Sequence, residues 1–160
     1  MSNVRQGKPL SRGFSLVELI IVVVIVGLLA AIAIPRFSRG ASAASENATL
    51  ADLAVLRQAL DMYAAEHNGN YPGGMGLVNS LTLYSNAAGS TSEAPSELYP
   101  FGPYVHAIPE LKSGPQAGST VVATIAAPPN TTYPTPIAWL YLPSTGQIWA
   151  NDPDLLNRGL

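Results

Sequence analysis

Among the residues able to do chemistry, Glu18 stands apart, because it is a carboxylate inside the run Phe14–Ile34 whose only other polar member is Ser15. Near the centre of a membrane helix a carboxylate costs about 2.5–3.5 kcal/mol on insertion scales, and less toward the interface, so its presence calls for a partner or a function. If the chain were cut after Gly13, the new amino terminus at Phe14 would place a positive charge at the depth of Glu18 in a laterally adjacent copy. Opposite charges in a medium of low dielectric would then set the axial register between copies, while the apolar helix surfaces supply the packing area. On this reading Glu18 is an assembly residue.

The other reactive side chains form no comparable pattern. His67 closes a helical stretch and His106 lies in Tyr104-Val105-His106-Ala107, while G-x-S-x-G, P-loop, H-E-x-x-H and G-x-G-x-x-G motifs are absent. Gly73-Gly74-Met75-Gly76 reads as a turn, and no enzyme is expected. The chain has no cysteine, which removes disulfides, thiolate metal sites and cysteine nucleophiles together. With 8 Lys+Arg against 10 Asp+Glu in 160 residues, it lacks the basic surface that nucleic acid requires. Its 48% hydrophobic content is too high for a disordered chain. Asn47-Ala48-Thr49 and Asn130-Thr131-Thr132 fit a glycosylation acceptor pattern that is frequent by chance.

The element that must carry Glu18 is a helix. Residues 1–13 hold Arg5, Lys8 and Arg12 and no acid, and the 21 residues that follow would span about 31 Å, the thickness of a hydrocarbon core. Three positive charges ahead of the span, against Arg36 and Arg39 behind it, favour the N-terminus inside and the bulk of the chain outside. Ala31-Ile32-Ala33 is formally a signal-peptide cleavage site, but the apolar region of a signal peptide is about 7–15 residues and has no use for Glu18. Gly27 lowers helix propensity and Pro35 removes a backbone donor, so the helix is weakest between them. Two uses of that stretch stay open: a segment that bends or extends, or a glycine that admits close helix packing.

The run Arg12-Gly13-Phe14-Ser15-Leu16-Val17-Glu18-Leu19-Ile20-Ile21, continuing through Gly27 to Ala33-Ile34-Pro35-Arg36-Phe37, closely resembles the N-terminus of type IV pilins and of type II secretion pseudopilins. The resemblance implies that a prepilin peptidase cuts after Gly13 and N-methylates Phe14, so that Glu18 becomes the fifth mature residue and Pro35 the twenty-second. It implies a leader at 1–13, a transmembrane and filament-core helix at 14–35, and a bacterial inner-membrane location with a cytoplasmic N-terminus and a periplasmic C-terminal domain. Its implied partners are copies of this chain, other pseudopilins, the peptidase and an inner-membrane assembly platform. In the family the stretch matching Gly27–Pro35 loses helicity on assembly.

Downstream, Ser38–Ser45 is expected to be helical, and Leu50, Leu53, Leu56, Leu60, Tyr63 and His67 recur on one face, with Asp52, Gln58, Asp61 and Glu66 mostly opposite. Asn68-Gly69 stops a helix predicted over Phe14–Asn68, so 36–68 continues the span amphipathically. Residues 69–160 hold 12 of the 14 prolines and form a small proline-rich β region. There Gly76–Tyr84 reads as a helical turn or two, Asn86–Ser96 as a surface loop, and Thr120–Ala126, Ile137–Leu142 and Gln147–Ala150 as strands. Pro143-Ser144-Thr145-Gly146 turns between the last two, and Trp139, Tyr141 and Trp149 are expected to pack. The fold class is therefore α+β and pilin-like: a long N-terminal helix, transmembrane in its first half, packed on a small antiparallel sheet.

Tyr63–Pro72 (YAAEHNGNYP), followed by Gly76-Leu77, resembles the close of the long helix in major pseudopilins, and Tyr99-Pro100-Phe101-Gly102-Pro103-Tyr104 resembles their Asp-Pro-Trp-Gly-x-Pro-Tyr segment, with Tyr99 where aspartate is usual. The resemblance thus points to a pseudopilin, a subunit of a periplasmic filament that promotes protein export. A surface type IV pilus subunit for adhesion, motility or DNA uptake is the alternative. Major pseudopilins commonly bind calcium in a C-terminal loop. Here Asp152 and Asp154, the only clustered acids near the terminus, are weak calcium candidates that cannot complete the six to eight oxygens the ion takes; no cofactor is expected, with calcium the one ion left open.

Overall fold

The computed structural model describes residues 13–160, without the side chains of Ile34, Pro35 and Ser38, so the expected leader lies outside the described residues except for Gly13. Two compact units divide between Ala41 and Ser42, and helix α1 (Leu16–Glu66) contributes to both. In the first unit, Leu16–Ala33 has a mean hydropathy of 3.1 and none of it is buried. A helix apolar on every side needs lipid or other helices around it. The helix is unbroken at Gly27 and at Pro35.

Its ends fall inside the predicted Phe14–Asn68. At the far end Asn68 (φ 57°) and Gly69 (φ 80°) enter the left-handed region, and the Gly69 N–H bonds the Ala64 carbonyl at 2.8 Å. This six-to-one closure satisfies one of the last free carbonyls and turns the chain out of the helix.

The second unit is built on the predicted face of α1. Leu53, Leu56, Leu60, Tyr63 and His67 are all buried, and Leu50 packs at the margin. Against them lie Leu77 and Leu81 of α2 (Leu77–Thr82), which follows a 3₁₀ turn at Gly74–Gly76 where a plain turn was expected. The Asn86–Ser96 segment, read as a loop, contains a two-residue strand: β1 (Tyr84–Ser85) pairs antiparallel with β2 (Thr91–Ser92). Asn86 organises the bend between them, its Oδ1 accepting the Ala88 and Ser90 N–H groups at 3.0 Å each. A side-chain acceptor serving nearby backbone donors is how asparagine replaces ladder bonds in a turn.

The main sheet has the order β3 (Val121–Thr124), β4 (Ile137–Leu142), β5 (Gln147–Ala150). The β4–β5 hairpin is antiparallel as expected, but β3 joins β4 in parallel, with Thr124 opposite Tyr141. The expected wholly antiparallel sheet is therefore mixed. Parallel neighbours require a crossover of about a dozen residues, and 125–136, with four prolines, supplies it. Central β4 is covered on both faces: Trp139 and Tyr141 join the α1 core, while Leu140 and Leu142 join Ile125 and Trp149. A strand buried on both faces reads as a continuous apolar run, which is the sequence IAWLYL.

The two buried polar tips of β4 find acceptors: Trp139 Nε1–H donates to the Pro109 carbonyl at 2.8 Å and the Tyr141 hydroxyl to that of Pro72 at 2.9 Å. Burial pushes the Tyr141 phenol above its ordinary value, and the neighbouring Tyr63 and Tyr71 add to the effect. A folded-state value raised above the unfolded one means stability fully present below about pH 10 and lost as pH climbs past it, since the unfolded phenol ionises first. Tyr104 is raised too, by burial and by its hydrogen bond to Glu66. Denaturant midpoints measured from pH 7 to 11 are therefore expected to fall less steeply for Tyr141→Phe than for the parent chain, without becoming flat. At pH 7 the variant should lose about 1 kcal/mol, because the Pro72 carbonyl loses its donor.

Candidate processing and assembly site

Gly13, Phe14 and Ser15 precede α1 in non-helical conformation, and all three are exposed. Phe14 keeps 84% of its surface, so the peptide bond after Gly13 is open to a protease. From Leu16 the helix begins with the order Ser-Leu-Val-Glu, in which the Glu18 carboxylate faces back toward the Ser15 N–H at 3.5 Å. The spacing is that of a capping box, with Ser15 at the cap and Glu18 three residues on, and a negative charge there also favours the positive end of the helix dipole. This second role of Glu18 was legible in the S-x-x-E order. It means that the Glu18 carboxylate, whatever it meets outside the chain, orders the residue next to Phe14.

Gly27 lies on an open helix surface, where a Cβ would meet nothing within 4 Å inside the chain. The backbone thus offers a neighbouring helix a close approach without any need for the glycine within the monomer. Pro35 lies within α1, where it withholds one backbone donor, and Arg36 and Phe37 beyond it are exposed.

The weak calcium candidates separate. Asp152 is buried at 4% exposure and caps α3 (Pro153–Leu156), its Oδ1 accepting the Asp154 N–H at 2.9 Å, whereas Asp154 is exposed in the first turn. An aspartate followed by proline is a helix-start signal readable in the sequence. Among the described residues no group of three or more His, Asp or Glu side chains is placed to hold a metal ion.

His67 is a core residue. Its ring stacks on Tyr63 with centroids 3.7 Å apart, Nδ1 lies 2.8 Å from the Tyr63 carbonyl, and Nε2 lies 3.2 Å from Ser85 Oγ. Sequence reasoning did not foresee the Ser85–His67 pair, because nothing local joins residues 18 apart. Ser85 is fully buried and the third member is a backbone carbonyl, so the arrangement satisfies buried polar atoms and presents no nucleophile to solvent. His106 is exposed and apart from it.

Residues 8–34 match the family described as the prokaryotic N-terminal methylation motif. The chain is 31% identical over 99 residues to the type II secretion system core protein G of Klebsiella pneumoniae, and 34% identical over 97 residues to that of Escherichia coli (strain K12). These matches cover 62% and 58% of this chain, and the chain spans 66% of each relative's length, just under two thirds. It is also 41% identical over 58 residues to the type IV major pilin protein PilA of Myxococcus xanthus (strain DK1622), covering 36% of this chain and 26% of that protein. No solved structure matches.

Proposed function

We propose that the chain is a pseudopilin, a member of the type IV pilin and type II secretion pseudopilin family and a structural subunit of a periplasmic filament that promotes protein export. The observation that carries this choice is the reach of the similarity. Likeness to core protein G extends over 99 residues, well past the N-terminal motif into the second unit, whereas likeness to the major pilin stops at 58. The N-terminal motif alone is common to both branches and does not choose between them.

In this reading the N-terminal half of α1 has two successive environments. Before assembly its all-round apolar surface sits in the inner membrane with Gly13 at the cytoplasmic face, where prepilin peptidase cuts and methylates Phe14. After assembly the same surface packs on other copies and on other pseudopilins at the inner-membrane platform, since helices that no longer see lipid must see one another. Glu18 pairs with the Phe14 amine of a neighbour and sets the register, while the second unit remains in the periplasm. The subunit carries no catalytic role.

The match to a major pilin makes a surface pilus the second reading. Mass spectrometry of the amino terminus, in sheared surface material and in the membrane fraction of the native cells, separates the two. N-methylated Phe14 in membranes and absent from sheared material is the expected result. Its recovery from sheared filaments would make the protein a pilus subunit, and an intact Met1 or Ser2 terminus, or a cut near Ala33, would overturn the processing scheme.

A further inference from the structure

The family resemblance raises the question of a structural calcium ion in the C-terminal loop, and the residues present do not fit one. Asp152 has both oxygens engaged by protein donors, Oδ1 by the Asp154 N–H at 2.9 Å and Oδ2 by the Ser113 hydroxyl at 2.6 Å. Gly114 brings the loop backbone close to this carboxylate, since a Cβ there would come within 2.8 Å of Oδ2. A hard cation needs six to eight oxygens, usually with more than one carboxylate. Asp154, the other acid, is exposed at the start of α3.

The same atoms form a directed chain instead. The Lys112 N–H donates to Thr49 Oγ1 at 3.2 Å, and Thr49 Oγ1 lies 3.1 Å from Ser113 Oγ. A hydroxyl has one proton to give. Since Ser113 gives its proton to Asp152, Thr49 must give its own to Ser113, and every hydroxyl then donates once and accepts once. Thr49 is fully buried on α1, so the chain runs from α1 through the loop at 112–114 to the cap of α3 and ends on a carboxylate. Bonds that end on a charge are the stronger kind, and aligned ones reinforce each other. One turn earlier on α1, Glu46 pairs with Arg158 beyond α3.

We propose that this clasp, Thr49–Ser113–Asp152 with Glu46–Arg158, holds the C-terminal loop of this chain by hydrogen bonds and without a cation. The test is thermal unfolding of the full-length processed protein in detergent, in calcium chloride and in EGTA. The two midpoints are expected to agree within about 1 °C, since an ion bound only by the folded state would raise the midpoint with its concentration. Ser113→Ala, which breaks the chain at its middle, is expected to lower the midpoint by about 5 °C, equally in both buffers. A midpoint of the parent protein that climbs with calcium would overturn the proposal, as would a Ser113→Ala midpoint unchanged from the parent. Should Ser113→Ala not fold, the calcium comparison on the parent decides alone, and Thr49→Ser, which keeps the hydroxyl, is expected to stay within about 2 °C of it.

Discussion

Gly13→Ala is expected to leave the leader attached to nearly all of the protein. In the folded chain a Cβ at position 13 meets nothing within 4 Å, and the residue lies outside α1, so the substitution costs the subunit no packing and breaks no helix. Any effect must therefore arise at the peptidase, where the residue before the scissile bond enters a subsite. A single misplaced methyl in a tight subsite changes turnover by about 10- to 200-fold. Intact-mass measurement of membrane-bound protein should show the uncut chain, with no methyl on Phe14. A product trimmed as in the parent would remove the basis for placing the cut after Gly13, whatever the rest of the fold resembles.

Glu18→Ala is expected to separate two steps that Gly13→Ala stops together. The variant should insert and be trimmed, because removing a carboxylate from an apolar span favours insertion. It should enter filaments at least about tenfold less well, the order of loss when one partner of a desolvated charge pair is removed. The structure adds a complication: Glu18 also faces its own Ser15 N–H, so alanine removes a helix cap as well as a charge. Glu18→Gln resolves the two, since the amide oxygen still accepts from Ser15 but cannot neutralise an amine. If the charge pair is what matters, Gln should assemble as poorly as Ala; if the cap is what matters, Gln should assemble like the parent. Filament yields from sheared or cross-linked membranes give the comparison, and parental yield from Glu18→Ala would refute the pairing.

The features that could be read without coordinates are those in which a short stretch states its own environment. Sixteen consecutive apolar residues from Leu19 to Ile34 can satisfy their backbone only as a helix in lipid or among helices, and a carboxylate ahead of them is conspicuous because it is costly there. Leu53, Leu56, Leu60 and Tyr63 announce a buried face because helical periodicity brings them into one stripe, and all four are buried in the fold, with Thr49, Ala59 and Ala64 beside them. The β4–β5 hairpin was legible for the same reason, its strands and turn being contiguous.

What could not be read depends on residues far apart in the chain. The parallel entry of β3 beside β4 is decided by which strand edge is free once α1 and the hairpin have packed, and no local signal distinguishes it from an antiparallel neighbour. Ser85 beneath His67, and Thr49 beside Ser113 and Asp152, are ordinary surface residue types that become buried only because other elements close over them, and Ser113 is half-buried with them. A hydroxyl that loses water must find a protein partner, and the identity of that partner is a property of the packed chain. Local composition and periodicity therefore set the apolar helix and its buried face, while contacts between distant segments decided the sheet's mixed topology and the hydrogen-bonded clasp near the C-terminus.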